Sequence, residues 1–318
     1  MVSRKAALAH CRALTAACHY SEGDVMVCVV DCRREAGLWH AALSSVFNGM
    51  HVVFVPFNVL QMDPGSWIRM VTKYRASVAI VKSRDLHWAL LAEREHPYCN
   101  LSSLRALLVT DGHNPWSLNS CDLFAAKFKT RGLNPNAICP IAGSSETLTL
   151  SLRRPIPTSS TTAPSTGGLF GLHSNGAPRG APVLPTTNNA SPQHTAPSSS
   201  PAAAAARGII SIHALSYGVI RVDSEDSFTS LTLQDCGQVL PGAAMVVVSL
   251  GPKPTVCQTD EVGELCIAAD YVGTGYWGLR GQTGSHFCVQ PIHEDGRPVV
   301  INTNAAAVPA TAGALHMH

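Results

Sequence analysis

Val25-Met26-Val27-Cys28-Val29-Val30-Asp31 is an unbroken, mostly β-branched apolar run that stops on a carboxylate. The same pattern returns along the first 150 residues. Run 52–55 stops at Pro56, run 78–81 at Lys82-Ser83, run 104–110 at Asp111-Gly112, and run 137–141 at Ala142-Gly143. Continuous rather than alternating apolar runs suit strands buried on both faces of a parallel sheet. Helical spacing fills the intervals. Segment 6–17 carries Leu8, Cys11 and Leu14, and segment 39–47 follows the first strand. Segment 64–74 has Pro64 at a suitable first helical position and Trp67, Ile68 and Val71 on one face, and segments 86–94 and 117–130 complete the series. Strand–helix alternation with short links predicts an α/β fold, a parallel sheet wrapped by helices. Ligands of such sheets sit beyond the carboxyl ends of the strands, a rim that here comprises 31–35, Ser83, 111–114 and 142–146.

The pattern stops at about residue 153. Residues 154–207 are dominated by Pro, Ser, Thr, Ala and Gly, nearly without charge, and contain the run Ala202-Ala203-Ala204-Ala205-Ala206. Such a segment buries too little apolar surface to offset its ordering entropy and is expected to be a disordered insert. From Gly208 the texture becomes short strand candidates at 209–212, 218–222, 231–233, 244–249 and 263–268, separated by turn signals such as Pro241-Gly242 and Asp270. This predicts a small, mostly antiparallel β subdomain over 208–304, with 305–318 as an irregular Ala-rich tail.

Composition narrows the function classes. The 318 residues are 46% hydrophobic with a formal charge of +2, so a sizeable core is possible and no basic stripe argues for nucleic acid. No apolar stretch approaches the roughly 18 residues a membrane span needs. The eleven cysteines, with no apolar leader behind Met1-Val2-Ser3-Arg4-Lys5, point to free thiols in a reducing, cytoplasmic compartment. Cys28 and Cys32 form a C-x3-C pair, but no second Cys/His pair follows at zinc spacing.

Three stretches could carry chemistry. In Ala142-Gly143-Ser144-Ser145-Glu146-Thr147, small residues allow close backbone approach, hydroxyls can bond phosphate oxygens, and a carboxylate can hold Mg2+ with few protein ligands. The alternative is an ordinary turn with a surface glutamate. In Asp31-Cys32-Arg33-Arg34-Glu35-Ala36-Gly37-Leu38-Trp39, charges opening an apolar helix could line a pocket, or Asp31 could simply cap the helix. Asp260-Glu261-Val262-Gly263-Glu264-Leu265-Cys266-Ile267, followed by Gly275-Tyr276-Trp277-Gly278, reads alone as a hairpin with a packing aromatic pair.

Taken in order, these motifs resemble the fatty acyl-AMP ligase branch of the adenylate-forming enzymes. Phe47-Asn48-Gly49, Pro56, Pro64, Trp67 and Tyr74-Arg75-Ala76-Ser77 are similar to its Y-x-G … P … P-x-x-W … Y-R-A-T pattern. Gly112-His113-Asn114-Pro115 resembles G-A-E-P, 142–146 lies where Y-G-x-[TA]-E belongs, and 263–267 with 275–278 resembles G-E-[IL]-x-[VI] … G-Y-W. Cys236-Gly237 and Leu240-Pro241-Gly242 sit where C-G-x-P-x-P-G belongs. Within that branch, Val81-Lys82-Ser83-Arg84-Asp85-Leu86-His87-Trp88, Asn114-Pro115-Trp116-Ser117 and 215–223 resemble the first such domain of the disco-interacting protein 2 family. The resemblance covers about 1–153 and 208–290.

The resemblance implies ATP-dependent activation of a fatty acid to an acyl-adenylate, with Mg2+ neutralising the phosphates. It assigns Glu146 to the metal and Ser145 to a phosphate-facing hydroxyl. Ala142, Gly143 and Ser144 belong to the nucleotide segment, and Asn114 approaches adenine. Glu35, Gly37 and Leu38 line the acyl entrance. Two departures stand out: Ala142 replaces the tyrosine that stacks on adenine, and Arg34-Glu35 replaces His-Asp. The family's phosphate loop is expected before Met1, its ribose-binding aspartate after about residue 300, and the lid with its lysine beyond that. No turnover, and no bound ATP or Mg2+, is therefore expected of residues 1–318 alone. The alternative is a degenerate member that binds a lipid or a protein partner without chemistry.

Overall fold

Alternate residues of the apolar runs serve opposite faces of one sheet. The computed structural model describes residues 1–92, 98–155, 207–224, 227–300 and 315–317. In it β1 (Val25–Cys28), β2 (His51–Phe54), β3 (Val78–Val81), β4 (Ala106–Val109) and β5 (Ile138–Ser144) lie parallel in the order β2-β1-β3-β4-β5. Val27, Ala79, Val81, Leu107 and Val109 face one core, with Trp67, Ile68, Leu86, Phe124 and Phe128. Their neighbours Met26, Cys28, Val78, Ile80 and Leu108 face the other, with Leu14, Ala17 and Tyr20. The two-residue period of a strand puts both sets to use, and every residue of β3 and β4 is buried.

The helices between these parallel strands and before the first of them are α1 (Arg4–Cys18), α2 (Ser44–Asn48), α3 (Phe57–Met62), α4 (Ser66–Tyr74), α5 (Ser83–Leu91) and α6 (Pro115–Phe128). Local chemistry sets their starts. Ser3 accepts from the Ala6 N–H at 3.0 Å, opening α1 two residues before the expected apolar face. Asp85 accepts from the Lys82 N–H at 2.9 Å, so α5 begins at Ser83 rather than 86. Pro64 does not begin α4: Gly65 is its N-cap and Ser66 its first residue. Helix α3 was not foreseen. Nor is Asp31 a helix cap, because the chain after it enters a π-helical stretch, Gly37–Leu43, capped by Ala36.

At the amino ends of the strands Asp24 ties three elements together. It accepts from Ser77 Oγ at 2.6 Å and pairs with Arg105 at 2.5 Å, and Arg105 also donates to the Cys18 carbonyl at 2.7 Å. Burial pushes the Asp24 carboxyl up, but the Arg105 and Ser77 hydrogen bonds outweigh it and hold the pKa below the usual range.

Beyond β5 the sheet changes direction. β6 (Leu148–Leu152) turns back antiparallel to β5. A second antiparallel pair joins β7 (Arg207–Ser211) to β8 (Ser230–Gln234), and the short β9 (Gln238–Val239) pairs with β6 on the first sheet. β10 (Ala243–Val248), β11 (Glu264–Ala269) and β12 (Leu315–Met317) form a third sheet, antiparallel throughout. Residues 315–317, expected in an irregular tail, thus supply a strand, because backbone pairing needs no apolar pattern. Ile267, Ala269 and Tyr271 pack into the same core as α1 and β6. Of the strand expected at 218–222, only single bridges from Val219 and Val222 are present. Most of the expected insert, residues 156–206, lies outside the described residues.

Candidate functional site

The carboxyl rim of the sheet brings two of the three chemical stretches to one cavity of about 310 Å3. Glu35, Ala36 and Trp39 enter from the loop and helix after β1, Thr110 and His113 from the loop after β4. Ala142, Gly143, Ser144 and Ser145 form the opposite wall, with Thr149 of β6 among the lining residues. Gly37 and Leu38 are not in this lining. A Cβ on Gly37 would stand 2.2 Å from the Asp31 carbonyl oxygen, so its glycine lets the π-helical stretch close onto the end of β1.

Asn114 acts on the helix behind the cavity. Its Oδ1 accepts from the Trp116 N–H at 3.1 Å, capping α6 ahead of Pro115. Asn114→Ala is therefore expected to cost about 1 kcal/mol of stability, a value typical of a lost cap. A denaturant titration in which the variant matches the parent would show that the cap contributes nothing.

Gly143 and Glu146 owe their positions to the β5–β6 hairpin. Register slips between Ala142 and Gly143, and the Gly143 backbone closes against Leu148. Ser144 Oγ accepts from the Glu146 and Thr147 amides at 3.1 and 3.2 Å, and these local bonds close the turn. Glu146 then faces the third stretch. Ser145 Oγ donates to its Oε2 at 2.9 Å, Tyr276 OH donates to Oε1 at 3.2 Å, and the Gly273 N–H donates to its carbonyl at 2.7 Å. Partial burial raises the Glu146 pKa, yet the hydrogen bonds from Ser144, Ser145 and Tyr276 outweigh it and leave the carboxyl more acidic than usual. Tyr276 is itself held by helix Arg280–Phe287, its N–H donating to Thr283 Oγ1 at 3.0 Å. The motif containing Tyr276 is legible in the sequence, but its contact with Glu146 spans 130 positions and is set only by folding.

Behind Thr149 lies a polar layer that sequence reading missed. His10 Nε2 sits 3.2 Å from the Thr149 amide nitrogen, and His40 Nε2 lies 3.0 Å from Thr149 Oγ1. Tyr20 OH meets His40 Nδ1 at 2.8 Å. Both histidines are buried, and burial depresses their pKa values to about 4 for His10 and about 3 for His40. Scattered histidines carry no sequence signal for such a layer. Among the described residues no three His, Cys, Asp or Glu side chains gather as a metal cage, and no helix is long and apolar enough to cross a membrane.

No family model matches the chain. Disco-interacting protein 2 of Drosophila melanogaster is 50% identical over 294 residues, 92% of this chain and 14% of that protein. Disco-interacting protein 2 homolog A of Homo sapiens is 45% identical over 298 residues, 94% of this chain and 16% of that protein. The chain thus spans well under a fifth of the length of these relatives. Among solved structures, a fatty acid AMP ligase from Legionella pneumophila superposes with a TM-score of 0.69 at 16% identity, over 100% of this chain and 44% of that one. The adenylation domain of a keto acid-selecting NRPS module, bound to keto acyl adenylate, gives 0.68 at 15% identity, over 93% of this chain and 45% of that one. At such identities the likeness establishes the fold, which is that of adenylate-forming domains. Identity to the relatives along nearly the whole of its length shows that the chain belongs to the disco-interacting protein 2 family.

Proposed function

We propose that residues 1–318 supply the nucleotide- and acyl-facing part of a domain that activates a fatty acid with ATP and Mg2+ as an acyl-adenylate, within cytoplasmic lipid metabolism. One observation carries this reading: Glu35 and residues 142–145 line a single cavity at the carboxyl rim, with the Glu146 carboxylate held beside it. The donor set fits the group. Both Glu146 oxygens accept hydroxyl hydrogen bonds, and its lowered pKa keeps it ionised at neutral pH. Mg2+ is commonly held by one or two carboxylates plus water and phosphate oxygens, so Glu146 is a sufficient protein ligand. Ser144 and Ser145 present hydroxyls to the phosphates. Glu35 lies at the acyl entrance, with Gly37 and Leu38 shaping the helix behind it. We further read 1–153 and 208–304 as two subdomains of this fold, with 154–207 inserted between them.

A second reading rests on Ala142. It lines the cavity without an aromatic face, and base–aromatic stacking contributes about 1–3 kcal/mol where it is present. A member so weakened for ATP would instead hold a lipid or a protein partner. The whole protein decides between the two. Fatty-acid-dependent ATP–pyrophosphate exchange that is lost in Glu146→Ala is expected for the ligase. A well-folded protein without exchange would overturn the ligase reading in favour of the binding module.

A further inference from the structure

The strand order β2-β1-β3-β4-β5 has its topological switch between β1 and β3, where one connection leads off to β2 and the other to β4. Crevices at such points, outside the carboxyl ends, are where open α/β sheets hold ligands. A cleft of about 530 Å3 lies there, separate from the cavity lined by 142–145. It is lined by 28–33 after β1, 54–57 after β2, and Lys82, Arg84 and Asp85 after β3. Its volume falls in the range of small-molecule sites.

The lining specifies the chemistry of an occupant. Val30, Val55 and Pro56 form apolar walls, and Phe54 and Phe57 are each about half-exposed within it. Both carboxylates of the cleft are already engaged. Asp31 takes three bonds from Arg33, two from its guanidinium and one from its backbone N–H, each at 3.0 Å. Asp85 accepts from the Lys82 N–H at 2.9 Å and from Arg84 at 3.0 Å. The Arg84 guanidinium also lies 4.9 Å from the Phe57 ring and 4.7 Å from the Trp88 ring. These two pairs neutralise each other. The Lys82 ammonium makes no hydrogen bond or ion pair among the described residues, so the cleft keeps one positive charge in the same lining as Phe54 and Phe57.

We infer that this switch-point cleft binds a small, flat aromatic monoanion, its ring against Phe54 and Phe57 and its carboxylate at Lys82. The site is distinct from the acyl-adenylate cavity, and its test needs no turnover.

The probe is 2-naphthoate, titrated into the 318-residue chain and followed by methyl NMR. Saturable binding with shifts at Val29, Val30 and Val55 is expected, while Leu148 and Ile141 of the other cavity stay unmoved. Lys82→Met should weaken binding about fivefold, the effect of one partly exposed ion pair. The uncharged analogue 2-naphthalenemethanol, offered to the unaltered chain, should bind about fivefold more weakly than naphthoate. That comparison stands even where the variant folds poorly. Equal affinity for the acid and the alcohol, shifts confined to Leu148 and Ile141, or no saturable binding would each overturn the proposal.

Discussion

Acidification from pH 7 towards pH 4 is expected to unfold the chain cooperatively, with about two protons taken up per molecule. The cause is the buried His10–Thr149–His40 layer. Both imidazoles are neutral in the folded chain, with pKa values depressed by burial to about 4 and about 3. In the unfolded chain each titrates near the ordinary value of about 6.5. Above that value both states are neutral and the depression costs nothing. Below it the unfolded chain gains protons that the folded chain refuses, so stability falls as pH drops from 6.5 towards the folded-state values. Each unit of depression corresponds to about 1.4 kcal/mol, so the two histidines together remove several kcal/mol, a large part of a typical domain's stability. Asp24 contributes at lower pH. Its folded pKa is depressed, so its stabilisation is present above the unfolded carboxyl value near 3.9 and is lost only as pH falls through the folded one.

Circular dichroism against pH separates the two. A transition centred between pH 6.5 and 4 that moves to lower pH in the double variant His10→Gln, His40→Gln would assign it to the imidazoles. An unchanged midpoint, or a transition confined below pH 3.9, would assign it to carboxylates and refute the role given to the layer.

Gly143→Ala should be among the most damaging single methyl additions in the chain. A Cβ there would stand 1.9 Å from the Leu148 carbonyl oxygen and 2.9 Å from its carbon. The obstacle is backbone, with no flexible side chain to swing aside. Leu148 is itself held at φ 60, a strained value for a leucine, so the bulge has little freedom to absorb the methyl. Opening the hairpin would uncouple Ser144, Ser145 and Glu146 from Thr149 and Tyr276. We expect a loss of about 3 kcal/mol, seen as a fall in Tm of roughly 6–12 °C for a chain of this size. Gly23→Ala is the matched control, since its added methyl meets nothing within 4 Å and should leave Tm unchanged. Equal melting of the two variants would show that the bulge relaxes freely and that Gly143 has no structural role. The nucleotide-facing role proposed for it would then have to rest on ligand contact alone.

The parallel sheet was legible in the chain because both faces of each strand are buried, which leaves continuous apolar runs, as in Val78-Ala79-Ile80-Val81. The rim followed from topology: chemistry-bearing residues at the ends of those runs share one edge of the sheet. Family membership was legible from motif order. Shorter-range details were less so. Helix α3 is too short to show a period, and the start of α5 depends on one carboxylate reaching back to Lys82. β12 and β9 are too brief to announce themselves, and only their partners select them.

Spacing along the chain therefore suffices for the series of apolar runs, the residues that end them and the motifs that name a family. These depend on chemistry between near neighbours, which spacing records. Folding in three dimensions settles which distant groups meet: Tyr276 with Glu146, His10 and His40 with Thr149, and Lys82 with Phe54 and Phe57 in one cleft lining. Hydrogen bonds and burial act through space within a few ångströms, while these partners lie tens to more than a hundred positions apart in the chain. No local pattern encodes such a meeting, and it exists only once the sheet has closed over its two cores.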